Sequence, residues 1–236
     1  MDTLRVYDRL ISLGLNCETS FNLYKFYGGT ESSLFQWATV PAANFIEVLE
    51  NPTLIYSGKI IEDPKTNMWK CAVTHINFHG KSLPCQLLDE HGQRDKEKVR
   101  AEIKDTVKRV HYLCDKFRVI AQSAETKLYI IGLHPAFYTD TQENTVHFLQ
   151  NLYTVLQHTA KNASLLVILE DKMKTPEKMQ MDNNATFFIR SIDHFAPAQK
   201  ATSPEEMDMQ GYARIFQEFS PAKFVKKEKK YKFEYE

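Results

Sequence analysis

The second half of the chain alternates apolar runs with amphipathic segments. Three continuous apolar runs predict buried strands, at residues 127–133, 165–169 and 186–190. Between residues 96 and 120, apolar side chains recur every three or four positions, which predicts a long amphipathic helix. A second helix is expected after Asp140, whose spacing to Glu143 is typical of a capping box. Ser203, followed by Pro-Glu-Glu, predicts the N-cap of a last helix.

The first part of the chain also begins with a predicted strand followed by a predicted helix. Residues 9–13 predict a strand, Gly14 a tight turn and residues 17–26 a helix, which is the usual start of a wound α/β sheet. Residues 28–95 are the least regular part, and they predict an insertion or lid with a helix near 42–50. We therefore expect a three-layer α/β/α fold with a mainly parallel sheet, of the SGNH or Rossmann type.

Composition narrows the class of protein. The chain has 236 residues, of which 43% are hydrophobic and 25% charged, so it is long and apolar enough to bury one core. We therefore expect one α/β domain over residues 1–222. Thirty Lys and Arg balance thirty Asp and Glu, which argues against nucleic acid as a partner. No apolar run approaches the roughly 20 residues that span a bilayer, and the N-terminus lacks a signal-peptide pattern. We therefore expect a cytoplasmic protein without a membrane span.

The C-terminal residues 223–236 differ from the rest, because they hold six Lys and three Glu among aromatic residues. This basic aromatic tail is expected to be a solvated exit from the fold, and the alternative is an arm that binds phosphate or a membrane surface. Tyr231–Tyr235 alternates aromatic and charged residues, so this part of the tail could also add an edge strand.

Chemistry-bearing residues follow the predicted strands. The carboxyl ends of parallel strands meet at one edge of a sheet, where such folds bind ligands. The residues that follow the strands include Gly14, Cys17, His134, Glu170, Asp171 and His194. We therefore expect a site at this edge, although loops are polar in most proteins.

Cys17 has the most specific setting of these residues. It falls in the first turn of the first predicted helix, where free N–H groups and the helix dipole favour a thiolate with a lowered pKa. The same N–H groups, with Asn16 beside them, could hold an oxyanion. The alternative is a small buried thiol that packs beneath the helix. If Cys17 is a nucleophile, it needs a base, and His194 is favoured because His194 lies between the last predicted strand and the last predicted helix. The alternative bases are His75, His79 and His134.

Other kinds of site are less well supported. The chain has neither a phosphate-binding glycine loop nor a Gly-x-Ser-x-Gly motif. Its four cysteines, without a CxxC pair, are expected to be reduced thiols. Residues 71–79 predict one strand face that carries Cys71, His75 and His79. Together with Cys85 these residues make a conceivable zinc set, but their spacing matches no strong zinc pattern.

The N-terminal motifs resemble those of a known family. Asp8-Arg-Leu-Ile-Ser-Leu-Gly-Leu-Asn-Cys-Glu18, an aromatic-rich helix and Ser33-Leu-Phe-Gln-Trp37 resemble a bacterial family of uncharacterised proteins labelled papain-like cysteine peptidases. The resemblance covers about residues 7–40. It implies that Cys17 is the nucleophile, and it places the family histidine best on His79 and less well on His75. The candidate substrate and oxyanion residues are then Ser12, Gly14, Asn16, Gln36, Trp37 and His134.

Two positions depart from the family pattern. Gln36 stands where the family usually has Asp, and Gly80 where an Asp is common. If those acids orient the base or bind substrate, the departures imply an impaired or divergent member. The Gly-x-Asn-Cys turn is also similar to that of coenzyme A-binding proteins of capsular polysaccharide biosynthesis, which implies coenzyme A as a candidate ligand.

These observations favour a cysteine-dependent hydrolase or acyltransferase that acts on a small-molecule or acyl substrate without a cofactor. Cys17 would attack the carbonyl carbon, with His194 or His79 as the base. One alternative is a non-catalytic module that binds coenzyme A or another phosphate-containing ligand. A second is a papain-like peptidase with an α+β fold, and a third is an interaction protein with an unreactive Cys17.

Overall fold

A computed structural model describes residues 4–15, 17–28, 32–36, 38–135, 142–172, 186–197, 200 and 203–221. The first half contains β1 (Arg5–Tyr7), β2 (Arg9–Ser12), α1 (Glu18–Tyr27), β3 (Ala38–Thr39), α2 (Ala42–Glu50), α3 (Leu54–Ser57), β4 (Ile60–Asp63), β5 (Met68–Cys71) and β6 (Asn77–Phe78). The second half contains α4 (Lys96–Gln122), β7 (Lys127–Gly132), α5 (Gln142–Thr159), β8 (Ala163–Glu170), β9 (Phe187–Ile192), α6 (Met209–Phe216) and β10 (Phe219–Pro221).

The central sheet is parallel, with the strand order β2-β7-β8-β9. Every residue of β7 and β8 is buried, which explains why these strands are continuous apolar runs in the sequence. Strands β1 and β10 form a separate parallel pair that joins the two ends of the described chain. The molecule therefore belongs to the α/β class, as the alternation of strands and helices predicts.

Two apolar clusters cover the two faces of this sheet. Leu128 and Ile130 of β7 pack in a cluster with residues of α1 and α6. Tyr129 and Ile131, the alternate residues of the same strand, belong to a cluster with α4 and α5. Successive side chains of a strand point to opposite faces, so the helices bury opposite sides of one sheet. Since α1 follows β2 directly, its N-terminus lies at the carboxyl end of that strand.

A second sheet lies within the region that was expected to be irregular. It is antiparallel, with the order β3-β6-β5-β4, and Phe78 pairs with both Ala38 and Trp69. The interpretation of residues 28–95 as an irregular insertion was wrong in this respect, although α2 occupies residues 42–50 as predicted. Strands β3 and β6 have two residues each, which is too short for a periodic pattern in the sequence.

The predicted strand face over residues 71–79 is also interrupted. Strand β5 ends at Cys71, and the chain turns before β6 begins at Asn77. His75 lies in this turn with a left-handed φ of +57°, and its N–H donates to the Cys71 carbonyl oxygen at 2.9 Å. His75 and His79 therefore lie on opposite ends of β6 and do not share one strand.

The last helix begins later than expected. Ser203 precedes only a 3₁₀ turn, Pro204–Glu206, and α6 begins after Asp208, whose Oδ1 accepts from the Gly211 N–H at 2.8 Å. An aspartate N-cap therefore replaces the expected serine. The capping box at Asp140 and the C-terminal tail lie outside the described residues. Within the described ranges, no helix is long and apolar enough to cross a membrane.

Helix α4 connects the two sheets. It has 27 residues and is therefore about 40 Å long. Asp95 caps it by accepting from the N–H groups of Glu97 and Lys98. Val110 and Phe117 in its second half are buried in the core of the parallel sheet. Its first half lies beside the antiparallel sheet, and this placement brings polar residues of α4 to the chain segment that follows β6.

Candidate active site

The structure brings Cys17 and His79 together. Cys17 Sγ lies 3.9 Å from His79 Nε2, although the two residues are 62 positions apart in the chain. Cys17 occupies the N-cap position of α1, after the first strand of the parallel sheet. His79 directly follows β6, a strand of the antiparallel sheet. The thiol and the imidazole therefore come from different sheets and meet where these sheets adjoin.

Both groups are neutral at physiological pH. Burial raises the pKa of the Cys17 thiol to about 11, the reverse of the lowering expected from the helix N-terminus. Burial also lowers the pKa of His79, and the nearby positive charge of Arg109 lowers it further. A protonated thiol consequently faces an unprotonated imidazole, which has the lone pair needed to accept the thiol proton.

Peptide N–H groups adjoin the thiol. Cys17 has φ of −80° and ψ of −12°, and its own side chain does not cap the first turn of α1. The first N–H groups of a helix have no partner within the helix and attract negative charge. An oxygen that develops charge next to Cys17 Sγ would find donors there. Asn16, expected to contribute to this turn, lies outside the described residues.

A buried network of hydroxyl groups anchors α1 to the segment before β3. Ser20 Oγ donates to the carbonyl oxygen of Gln36 and lies 2.9 Å from Ser12 Oγ. Ser33 Oγ donates to the Ser12 carbonyl oxygen at 3.2 Å. Ser12 is fully buried in this network, so the structure assigns it to the support of the site.

Gln36 has a second feature besides its place in that network. Its side-chain oxygen is buried and has no hydrogen-bond partner among the described residues. Gly14 is buried in the connection between β2 and α1. Trp37, the other expected substrate residue of this segment, lies outside the described residues.

Gly80 is confined by its surroundings. A Cβ atom at this position would lie 2.5 Å from Glu102 Oε1 and 2.7 Å from the Ser82 carbonyl oxygen, and closer still to Trp69 Nε1. Real Cβ atoms do not approach other heavy atoms so closely. An aspartate, which the family resemblance would place here, does not fit beside His79 unless these groups move.

Residues of α4 hold the segment that contains His79. Arg109 Nη2 donates to the His79 carbonyl oxygen. Glu102 Oε1 accepts from the Lys81 N–H at 2.6 Å, and Asp105 forms an ion pair with Lys81 Nζ at 2.5 Å. Glu102, Asp105 and Arg109 are spaced by three and four residues, so they share one face of the helix. We call these three side chains the α4 clamp.

The segment 195–196 covers the carboxyl ends of β7 and β8, where His134 and Glu170 lie. His134 is buried, and its Nε2 lies 2.6 Å from the Ala196 carbonyl oxygen. Glu170 Oε1 accepts from the Phe195 N–H at 3.1 Å. Both carboxylate oxygens of Glu18 accept from the Ala196 N–H, at 3.3 and 3.2 Å. The segment 195–196 thus occupies part of the edge where the sequence predicted a site.

Glu18 is an unexpected member of this edge. It is completely buried, and this burial raises the pKa of its carboxyl group to about 8. The Ala196 N–H and the Tyr212 hydroxyl oppose the shift, whereas the charge of Glu170 adds to it. Glu18 is therefore a protonated acid at neutral pH, next in sequence to Cys17.

The remaining candidates do not meet Cys17. His194 and Asp171 are exposed at the ends of their strands. Among the described residues, no hydrogen bond or ion pair joins either of them to Cys17. His79, which the strand-end reasoning ranked below His194, is the histidine that the structure places beside the thiol.

The conceivable zinc set of Cys71, His75, His79 and Cys85 forms no metal site among the described residues. Cys71 is buried, whereas Cys85 is exposed and accepts from Asn67 Nδ2 at 2.8 Å. Over the described ranges, no three His, Cys, Asp or Glu side chains lie close enough to hold a metal ion.

The sequence pattern did not identify Arg109 and Glu102 as residues of the site. Both lie on a long amphipathic helix, where charged residues normally face solvent. The pattern offers no sign that this polar face meets another segment of the chain, because the segment is far away in sequence.

Comparison with protein-family models, with curated proteins and with solved structures finds no match. Function is therefore inferred from the geometry around Cys17 and His79.

Proposed function

We propose that the protein is a cysteine-dependent hydrolase or acyltransferase, with Cys17 as the nucleophile and His79 as the general base. The observation that carries the proposal is the 3.9 Å contact between Cys17 Sγ and His79 Nε2 at the N-terminus of α1. A nucleophile, a base and N–H donors are the three components that acyl transfer requires.

The reaction would proceed in two steps. Cys17 Sγ attacks the acyl carbonyl carbon while its proton passes to His79 Nε2, and first-turn N–H groups of α1 bind the resulting oxyanion. The imidazolium then protonates the leaving group, and a thioester to Cys17 remains. In the second step, water or another nucleophile gives its proton to His79 and attacks the thioester. The product leaves as the proton returns to Cys17 Sγ.

The resting protonation states predict the pH dependence of turnover. Because the pKa of the thiol is raised to about 11, the proton is transferred during attack and not before it. His79 must be unprotonated to accept that proton, and its pKa is lowered. We therefore expect kcat/KM to rise with pH as His79 loses its proton, and then to stay level through neutral pH.

Four variants test the proposal with matched controls. Cys17→Ala and His79→Gln remove the nucleophile and the base, whereas Cys85→Ser and His194→Gln alter exposed residues of the same types. Turnover of p-nitrophenyl esters, acyl thioesters and peptide amides is measured for each variant. We expect Cys17→Ala to abolish turnover, and His79→Gln to reduce it by roughly 10²- to 10⁴-fold, the usual contribution of a general base.

The controls are expected to keep the native rate. Full activity of Cys17→Ala would overturn the proposal. A loss in His194→Gln as large as that in His79→Gln would exclude His79 as the sole base.

A binding module is the second candidate. A helix N-terminus such as that of α1 favours anions, and a thiol with a pKa of about 11 is a weak nucleophile at rest. Such a module would bind coenzyme A or another phosphate-containing ligand without reaction. Thermal unfolding with coenzyme A distinguishes the two functions. A shift that persists in Cys17→Ala, together with no turnover by the native protein, would favour binding.

The proposal extends to the fold type. The two apolar clusters on opposite faces of the parallel sheet support a three-layer α/β/α arrangement of the SGNH or Rossmann kind. The origin of His79 from an antiparallel sheet supports the papain-like alternative. The four free thiols support a reducing, cytoplasmic location.

A further inference from the structure

We propose that Arg109 is a positioning residue for His79, holding the backbone that presents the imidazole to Cys17. This inference rests on the proposed function of the Cys17–His79 pair. Arg109 does not touch the thiol in this arrangement, so it would act through His79 alone.

The first support is the pair of hydrogen bonds by which α4 holds residues 79–81. The Arg109 guanidinium donates to the carbonyl oxygen of His79, and Glu102 accepts from the N–H of Lys81, two residues later. Gly80 lies between these two attachments in a space that admits no Cβ atom. Attachment on both sides of a confined glycine restricts the backbone torsions that aim the His79 side chain.

The register of the antiparallel sheet shows why such attachment is needed. The pairing of β6 with β3 and β5 ends at Phe78, one residue before His79. His79 is not part of the apolar core, so core packing does not hold it. The α4 clamp therefore supplies the fixed contacts that the sheet no longer provides.

The second support is electrostatic. Among the described residues, the charged or titratable groups that face His79 are Cys17 from α1 and Arg109 from α4. The negative charges of Glu102 and Asp105 stabilise the charged form of Arg109, and Asp105 also forms an ion pair with Lys81. The guanidinium keeps its positive charge under all ordinary conditions. That charge disfavours a second cation on His79, so it keeps the imidazole able to accept a proton.

The distinctive consequence concerns the pKa of His79. An arginine whose guanidinium lay away from the imidazole and only stabilised the fold would change the free energy of unfolding when replaced, without moving the titration of His79. An arginine that positions and polarises the base would change both. Loss of the positive charge is expected to raise the pKa of His79, because the imidazolium form would no longer be repelled.

The experiment uses the full chain with labelled histidine. Arg109→Met removes the charge and the donor, Arg109→Lys keeps the charge, and Arg100→Met removes an exposed charge from the same helix as a control. NMR titration of the imidazole carbons and nitrogens measures the His79 pKa, and the spectrum of His79→Gln assigns the resonance. Ester turnover as a function of pH is measured in parallel.

We expect Arg109→Met to raise the His79 pKa and to shift the rising limb of kcat/KM to higher pH. Its plateau kcat should fall by roughly 10- to 100-fold, as is usual when a catalytic group is displaced. Arg109→Lys should keep the native His79 pKa and recover part of the rate. Arg100→Met should match the native protein in both measurements.

An unchanged His79 pKa in Arg109→Met would overturn the inference, whether or not Cys17 is a nucleophile. Turnover that survives Cys17→Ala would instead defeat the proposed function, so the two failures are distinguishable. If Arg109→Met does not fold, Arg109→Gln carries the same test, because it retains an amide donor but no charge. A raised His79 pKa supports the inference in that variant too, and an unchanged pKa overturns it.

Discussion

Glu18 provides a quantitative test of the buried strand edge. Its carboxyl group is fully buried, with both oxygens on the Ala196 N–H and the Tyr212 hydroxyl nearby. The substitution Glu18→Gln keeps the shape and one acceptor oxygen but removes the titration. Comparing the variant with the native protein at several pH values isolates the effect of this one group.

The expected magnitude follows from the pKa of the carboxyl group in the two states. In the unfolded chain the ordinary value of 4.5 applies, whereas the folded protein holds the proton up to about pH 8. Between these limits the folded state binds more protons, so the free energy of unfolding of the native protein falls as pH rises. At about 1.4 kcal/mol per pH unit, the full loss is on the order of 5 kcal/mol. The contribution is intact below pH 4.5 and fully lost above pH 8.

Urea unfolding at pH 4, 6, 8 and 9 measures this difference. At pH 4 we expect Glu18→Gln to be less stable than the native protein by about 1 kcal/mol, because the amide replaces one acceptor oxygen. At pH 9 the order should be reversed, with the variant more stable by several kcal/mol. Glu205→Gln, at an exposed position, controls for the loss of one carboxyl group. A difference between Glu18→Gln and the native protein that is the same at every pH would refute the reasoning.

Two further predictions concern the site itself. Alkylation of Cys17 by iodoacetamide should accelerate about tenfold per pH unit from pH 7 to 10, because the thiolate fraction does so below a pKa of about 11. Peptide mass spectrometry measures this rate with the exposed Cys85 as internal reference, and a rate that levels off by pH 8 would contradict the raised pKa. Gly80→Ala should lower the free energy of urea unfolding by about 1–3 kcal/mol, because its Cβ crowds Trp69 and Glu102. Native stability of this variant would show that the segment is not confined.

Long elements could be predicted because burial determines where their apolar residues fall. Every residue of β7 and β8 is buried, so continuous apolar runs marked both strands to within two residues at each end. Helix α4 buries a stripe against two sheets, and its three- and four-residue spacing is visible over its whole length. In these elements one physical requirement, the removal of apolar surface from water, determines the pattern.

The antiparallel sheet could not be predicted in this way. A strand of two residues such as β3 or β6 has no period, and its partner is chosen by tertiary contacts. The late start of α6 has a similar cause. Ser203-Pro-Glu-Glu satisfies local capping rules, but the Asp208 carboxylate, which bonds both Gly211 and Asp193, caps the helix in the folded chain.

The candidate site was predictable only in part. Cys17 stands out because it follows a strand and Gly14 at the start of a helix. His79 came from the family resemblance, whereas strand order favoured His194. Arg109 carries no local signal, since its partner is a backbone carbonyl 30 residues away. Contacts between distant backbone and side-chain groups leave no trace in the local pattern of a single sequence.

The strand order of the parallel sheet has a consequence for synthesis of the chain. Strand β2 lies at the edge of that sheet and pairs with β7, and Asp8 bonds to Thr126, 118 residues later. At about 5–20 residues per second, a ribosome needs roughly 6–24 s to add those residues. The antiparallel sheet, complete by Phe78, can pair sooner. The antiparallel strands that lead to His79 can therefore pair on the nascent chain before β7, the partner of the strand that precedes Cys17, has been translated.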